Sequence, residues 1–122
     1  MKRNMDIVRQ ILIKAEGMTE EQGRETFTLD GVDPVITNGH VEIMKEGGLL
    51  HAQIGRSDGT GIYSVRVFRL TWDGHDFLAA IRNDTIWNKT KKQFADHAID
   101  WTFDLLKAVA VGYGKQLLLP GS

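Results

Sequence analysis

The 122-residue sequence contains no cysteine. That excludes thiol nucleophiles, disulfides and cysteine-ligated zinc, and it fits a reducing, cytoplasmic address. Long apolar runs are missing too. Asp6, Arg9, Gln10 and Lys14 break the start of the chain before a signal sequence could form, and no segment approaches the ~20 apolar residues that cross a bilayer. Charge of one sign is not in excess: fifteen basic and sixteen acidic residues give a net charge of -1. No overall positive field draws the chain onto nucleic acid, which leaves only a local patch to do so.

Catalytic and ligand-binding patterns are equally sparse. His40, His51, His75 and His97 include no pair three to five residues apart, the spacing by which two imidazoles on one element share a metal. "GRSDGTG" has the glycines of a phosphate loop but not its lysine followed by serine or threonine, and it joins two strands. His75 and Asp76 are adjacent, which on a helix points them about 100° apart, so adjacency does not make them an acid-base pair. No serine has a nucleophile-elbow context. The expectation is a protein that is not an enzyme and holds neither metal nor cofactor.

What is present fits one ordinary domain, with 42% apolar and 25% charged residues. From Asn4 to Glu16, Ile7, Val8, Ile11, Leu12 and Ala15 recur at helical spacing. "RETFTLDG" alternates Thr26 and Thr28 against Phe27 and Leu29 and reads as a short strand before an Asp-Gly turn. Asp33 can cap a helix with Pro34 in its first position, and Gly47 and Gly48 end it. Two β-rich runs then flank a tip from Gly55 to Gly61, as in a hairpin. Thr71 can cap a helix burying Phe77, Leu78 and Ile81, Asp84 a second, and Asp100 a third. Gly74 inside the first of these implies close approach of another backbone.

Helix, short strand, helix, β-hairpin and further helices make an α+β chain in winged-helix order. Residues 1–98 are assigned to the winged-helix domain and 99–119 to a C-terminal helix of the same domain. "MKRNMDIVRQIL", "HVEIMKEGGLL" and above all "RLTWDGHDFLAAIRNDTIWNKTK" resemble the uncharacterised bacterial and phage family called domain of unknown function twenty-five thirteen. The resemblance runs from Met1 to about Val111. It implies a winged-helix-like domain of phage or prophage type, and no reaction.

Two surfaces follow from this order. In a helix-turn-helix reader the start of the second helix meets base edges, here Thr37, Asn38 and His40 with Lys45 further on, while the wing offers Arg56, Ser57, Thr60 and Arg66 to phosphates or a minor groove. Against this, Lys45, Arg56, Arg66 and Arg69 are balanced within residues 33–70 by Asp33, Glu42, Glu46 and Asp58. The second surface is the C-terminal helix, whose Trp101, Phe103, Leu106, Ala110, Tyr113 and Leu117 suggest dimerisation, with Leu105 and Val109 widening the apolar face. The expected function is a small DNA-binding regulator that dimerises. The alternative is a protein-protein adaptor on the same fold, without DNA contacts.

Overall fold

The first helix begins where a side chain can close it. In the computed structural model, which describes residues 1–56, 63–119 and 121, the Asn4 side-chain oxygen accepts from the backbone N–H groups of Asp6 (2.9 Å) and Ile7 (3.2 Å). Helix α1 then runs Met5–Glu16 and buries Val8, Ile11, Leu12 and Ala15, the stripe its spacing prescribes. A single 3-10 turn follows at Gln22–Arg24.

Residues 26–29 are extended but do not form a strand. The alternation reads correctly, since Phe27 and Leu29 are buried and Thr26 and Thr28 exposed. One backbone bond to a strand residue is made, but the next carbonyl goes to a side chain, which interrupts the ladder. Phe27 N–H donates to the Val65 carbonyl (2.8 Å), whereas the Thr28 carbonyl is taken by the Lys14 ammonium.

Helix α2 spans Pro34–Glu46, with the Asp33 carboxylate accepting from Val35 N–H (2.8 Å) and Pro34 in the first turn. Gly47 caps its end and Gly48 adopts φ 78°, which a side chain would disfavour. Strands β1 (Leu50–Arg56) and β2 (Tyr63–Leu70) pair antiparallel, with Leu50 opposite Leu70, Gln53 opposite Arg66 and Arg56 opposite Tyr63. The register shifts between His51 and Ala52, so Phe68 is an extra residue on β2. Of the hairpin tip anticipated at 55–61, residues 57–61 lie outside the described residues.

Helix α3 spans Trp72–Ile81. The Thr71 hydroxyl accepts from Gly74 N–H (2.9 Å) and donates to the Gly48 carbonyl (2.6 Å), fastening the start of α3 to the end of α2. Helix α4 runs Asp84–His97, but its cap is Asn83, whose side chain accepts from Ile86 N–H (3.0 Å); Asp84 sits in the first turn. Helix α5 runs Phe103–Leu118 and is capped by Thr102 rather than Asp100, through Leu105 N–H (3.1 Å).

The architecture of the described residues is α+β: five α-helices and one two-stranded antiparallel sheet. Two compact units divide the chain, Met1–His75 and Asp76–Ser122. The boundary falls inside α3. In the first unit α1 and α2 pack on each other and on the hairpin; in the second, α4 packs on α5. Among the described residues no helix is long and apolar enough to cross a membrane.

Candidate interaction surfaces

The three α2 residues expected to read bases point the wrong way. Thr37 and His40 are fully buried and Asn38 nearly so. Position explains it: 37, 40, 41 and 44 fall at helical spacing, so Thr37 and His40 share one stripe with the core residues Val41 and Met44. The polar groups of Asn38 and His40 are also engaged within the first unit. Asn38 donates from Nδ2 to the Tyr63 carbonyl (3.0 Å), tying α2 to β2. His40 Nε2 accepts from Asn4 N–H (2.8 Å), so the ring proton is on Nδ1, 2.8 Å from the Ile36 carbonyl to which it donates. Thr37 Oγ1 is buried without a hydrogen-bond partner. Base-edge contact by Thr37, Asn38 and His40 is thereby corrected: all three hold the fold together from inside.

The remaining expected contacts are on the surface. Lys45 is exposed. Arg56 is exposed but engaged, 2.5 Å from the Glu42 carboxylate and with its guanidinium 4.8 Å from the centre of the Tyr63 ring. Arg66 is exposed on the outward side of β2, opposite Gln53. Ser57 and Thr60 lie outside the described residues. The sequence pattern did not single out the outward side of the hairpin as a set: His51, Gln53, Arg66 and Arg69 are all exposed, and strands β1 and β2 contain no acidic residue. Beside them the extra residue Phe68 is half-exposed, and Trp72, the first residue of α3, is 80% exposed. Ring residues so placed normally seek cover. The helical pattern assigned Trp72 no partner, and only the structure separates it from the buried Trp87 and Trp101.

In the second unit the dimer residues expected on α5 divide. Trp101, Leu106 and Ala110 are buried within the chain, and Phe103 packs edge-on against Phe77 (5.7 Å) and tilted against Trp101 (5.6 Å). These belong to the protein's own core, which corrects their assignment to a dimer face. Tyr113 is part-buried under the Lys89 ammonium (5.9 Å), and Leu117 remains exposed. The widening residues Leu105 and Val109 instead help line a groove of about 340 Å³ between α4 and α5, with Phe94, His97, Ile99 and Tyr113.

Of the three lysines on α4, Lys89 and Lys92 are exposed and Lys91 is part-buried over the Trp87 ring (5.6 Å). Lys92 pairs with Asp96 (2.7 Å), and that hydrogen bond first, then the aspartate charge, holds its ammonium above the ordinary 10.5. The small stabilisation this brings is complete below pH 10.5 and is lost as pH rises through the higher folded value. Among the described residues no group of three or more His, Asp or Glu is placed to hold a metal ion.

Among the described residues the geometry is that of a small α+β protein with an antiparallel strand pair and the exposed aromatic residues Phe68 and Trp72 beside it. Residues 2–100 match the family model described as Hypothetical protein (DUF2513), and the chain belongs to that family, as "RLTWDGHDFLAAIRNDTIWNKTK" led us to expect. It is similar to an uncharacterized protein of Haemophilus influenzae, 36% identical over 121 residues covering 97% of this chain and 99% of the relative. No solved structure matches.

Proposed function

We propose that this protein is a cytoplasmic, non-enzymatic interaction module of winged-helix type, from a phage or prophage setting, whose partner at the hairpin end is a protein. The observation that carries this reading is the inward orientation of Thr37, Asn38 and His40. A helix that spends these side chains on its own core has none left at those positions for base edges, and direct readout requires such contacts. What the same unit offers outward is Trp72, Phe68 and Val35, the residue chemistry of protein-protein anchors. Glu42 neutralises Arg56, which lowers the gain from counterion release on a duplex.

One observation favours a second reading: the acid-free outward side of the hairpin carries Arg66 and Arg69, which suits contact with a DNA backbone. The two are separated by placing a photocrosslinking amino acid at Trp72 in the living cell and by mobility-shift assays with random duplex. The adaptor reading expects protease-sensitive adducts and no shift at about 50 mM salt, where phosphate contacts are strongest. Nuclease-sensitive adducts, or a retarded band that fades as salt rises, establish the DNA reading in its place.

A further inference from the structure

Helix α5 has two apolar sides, and only one of them is used. Leu106 and Ala110 face inward and are fully buried. At about 100° per residue, Leu105, Val109, Gly112 and Gln116 fall within roughly 60° of one another on a different side, and these same residues line the α4–α5 groove. Leu105 is 42% exposed there, Ile99 at the near end of the groove 53%, and Leu119 just past the end of the helix 53%.

Gly112 sharpens the point. Inside a helix glycine costs about 1 kcal/mol relative to alanine, so the position needs a reason. The chain's own packing does not supply it, because a Cβ at Gly112 would meet nothing within 4 Å. With the exposed Ala108 one turn away, it leaves a shallow place on the surface where another helix backbone can come close.

Charge identifies that helix. Asp104 and Lys115 are eleven residues apart, three turns and about 20°, so they border the groove-lining stripe on the same flank. Neither has a side-chain partner among the described residues. In an antiparallel helix pair, like flanks meet. With the midpoint between Val109 and Ala110, Asp104 stands opposite the partner's Lys115, and two-fold symmetry makes the pair twice. The same register sets Leu119 of each copy beside residue 100 of the other, next to Ile99 and the open end of the groove.

We propose that two copies of the chain associate antiparallel through this side of α5, Leu119 of each reaching the open end of the α4–α5 groove of the other. The interface is Leu105, Ala108, Val109, Gly112 and Leu119, bordered by Asp104 and Lys115. It is distinct from the buried side of the helix and independent of what the hairpin end binds.

Sedimentation equilibrium of the full chain at about 1–100 µM tests it, with circular dichroism to confirm folding. The expected result is twice the chain mass for the native protein and a monomer for Gly112→Glu, which the isolated chain has room to accept. Asp104→Lys and Lys115→Asp each set two like-charged pairs face to face and should raise the dimer Kd about tenfold or more. Combining them should restore the native value, which a merely structural role for either residue does not do. A monomer at every native concentration, a dimer indifferent to Gly112→Glu, or a double reversal no better than the single ones overturns the proposal.

Discussion

Thr37 and His40 are one turn apart on the buried stripe of α2, yet their polar groups stand in opposite circumstances. The His40 ring satisfies both nitrogens, one from the start of α1 and one on its own helix, so it couples two helices. Removing it leaves Asn4 N–H and the Ile36 carbonyl without these bonds and opens a cavity. We expect His40→Ala to cost about 2–4 kcal/mol. Thr37 has a hydroxyl that is buried and unsatisfied, and an unmade hydrogen bond costs about 1–3 kcal/mol. Thr37→Val replaces it with a methyl of the same shape and should stabilise the protein by about 1 kcal/mol. Urea titration followed by circular dichroism checks both signs. Destabilisation by Thr37→Val means that its hydroxyl is satisfied by bound water. Glycine gives a second opposed pair. A Cβ at Gly74 would lie 2.1 Å from the Leu49 carbonyl oxygen, a backbone atom that cannot swing aside, whereas one at Gly114 would meet nothing within 4 Å. Gly74→Ala should therefore cost more than about 2 kcal/mol, and Gly114→Ala should gain about 0.5–1 kcal/mol.

At the scale of elements, the caps show what a sequence carries and what it withholds. Asp33 and Thr71 are each the one good capping residue beside an apolar pattern, and both were legible. At "RNDT" two adequate caps stand side by side, and the choice of Asn83 leaves Asp84 in the first turn, where the helix dipole favours its charge. No local rule separates them. The extended segment 26–29 failed as a strand for a different reason: alternation reports which side is buried, but not where the carbonyls go, and Lys14 is fourteen residues away from Thr28. On α2 two signals conflict: the order of elements points to a recognition helix, but the spacing of 37 and 40 with 41 and 44 places these residues on the buried stripe. On α5 the spacing marks which residues are apolar, but which side faces its own chain depends on α4. Thr71 carries the prediction that belongs here. Its hydroxyl accepts from α3 and donates to the end of α2, so Thr71→Ala removes a cap and a tie together. We expect a loss of about 1–2 kcal/mol by thermal unfolding, largely recovered in Thr71→Ser, which keeps the hydroxyl; equal losses in both variants assign the effect to the methyl group instead.

For the molecule as a whole, charge balance and exposed apolar residues act in the same direction. The net charge of -1 and an isoelectric point of about 6.4 leave little mutual repulsion between chains near neutral pH. Trp72, Val35, Phe68 and the leucines at 117 to 119 are exposed on such chains. Two kinds of association then compete, and they differ in how they saturate. Contact through the seam on α5 closes with two copies, because a two-fold interface uses the same surface on both partners. Contact through scattered apolar residues does not close, and it is held off only by net charge. Static light scattering from about pH 5 to about pH 8 should therefore show open-ended growth centred near pH 6.4 and a plateau at twice the chain mass once the pH has moved well above it. Salt gives an independent check. Near pH 6.4 there is little net repulsion left to screen, so apolar growth there should change little as ionic strength rises. The plateau should persist, because the seam is mainly apolar and only its border is charged. Growth that is the same at every pH would mean that the exposed aromatic residues, rather than the charge balance, govern how these chains meet.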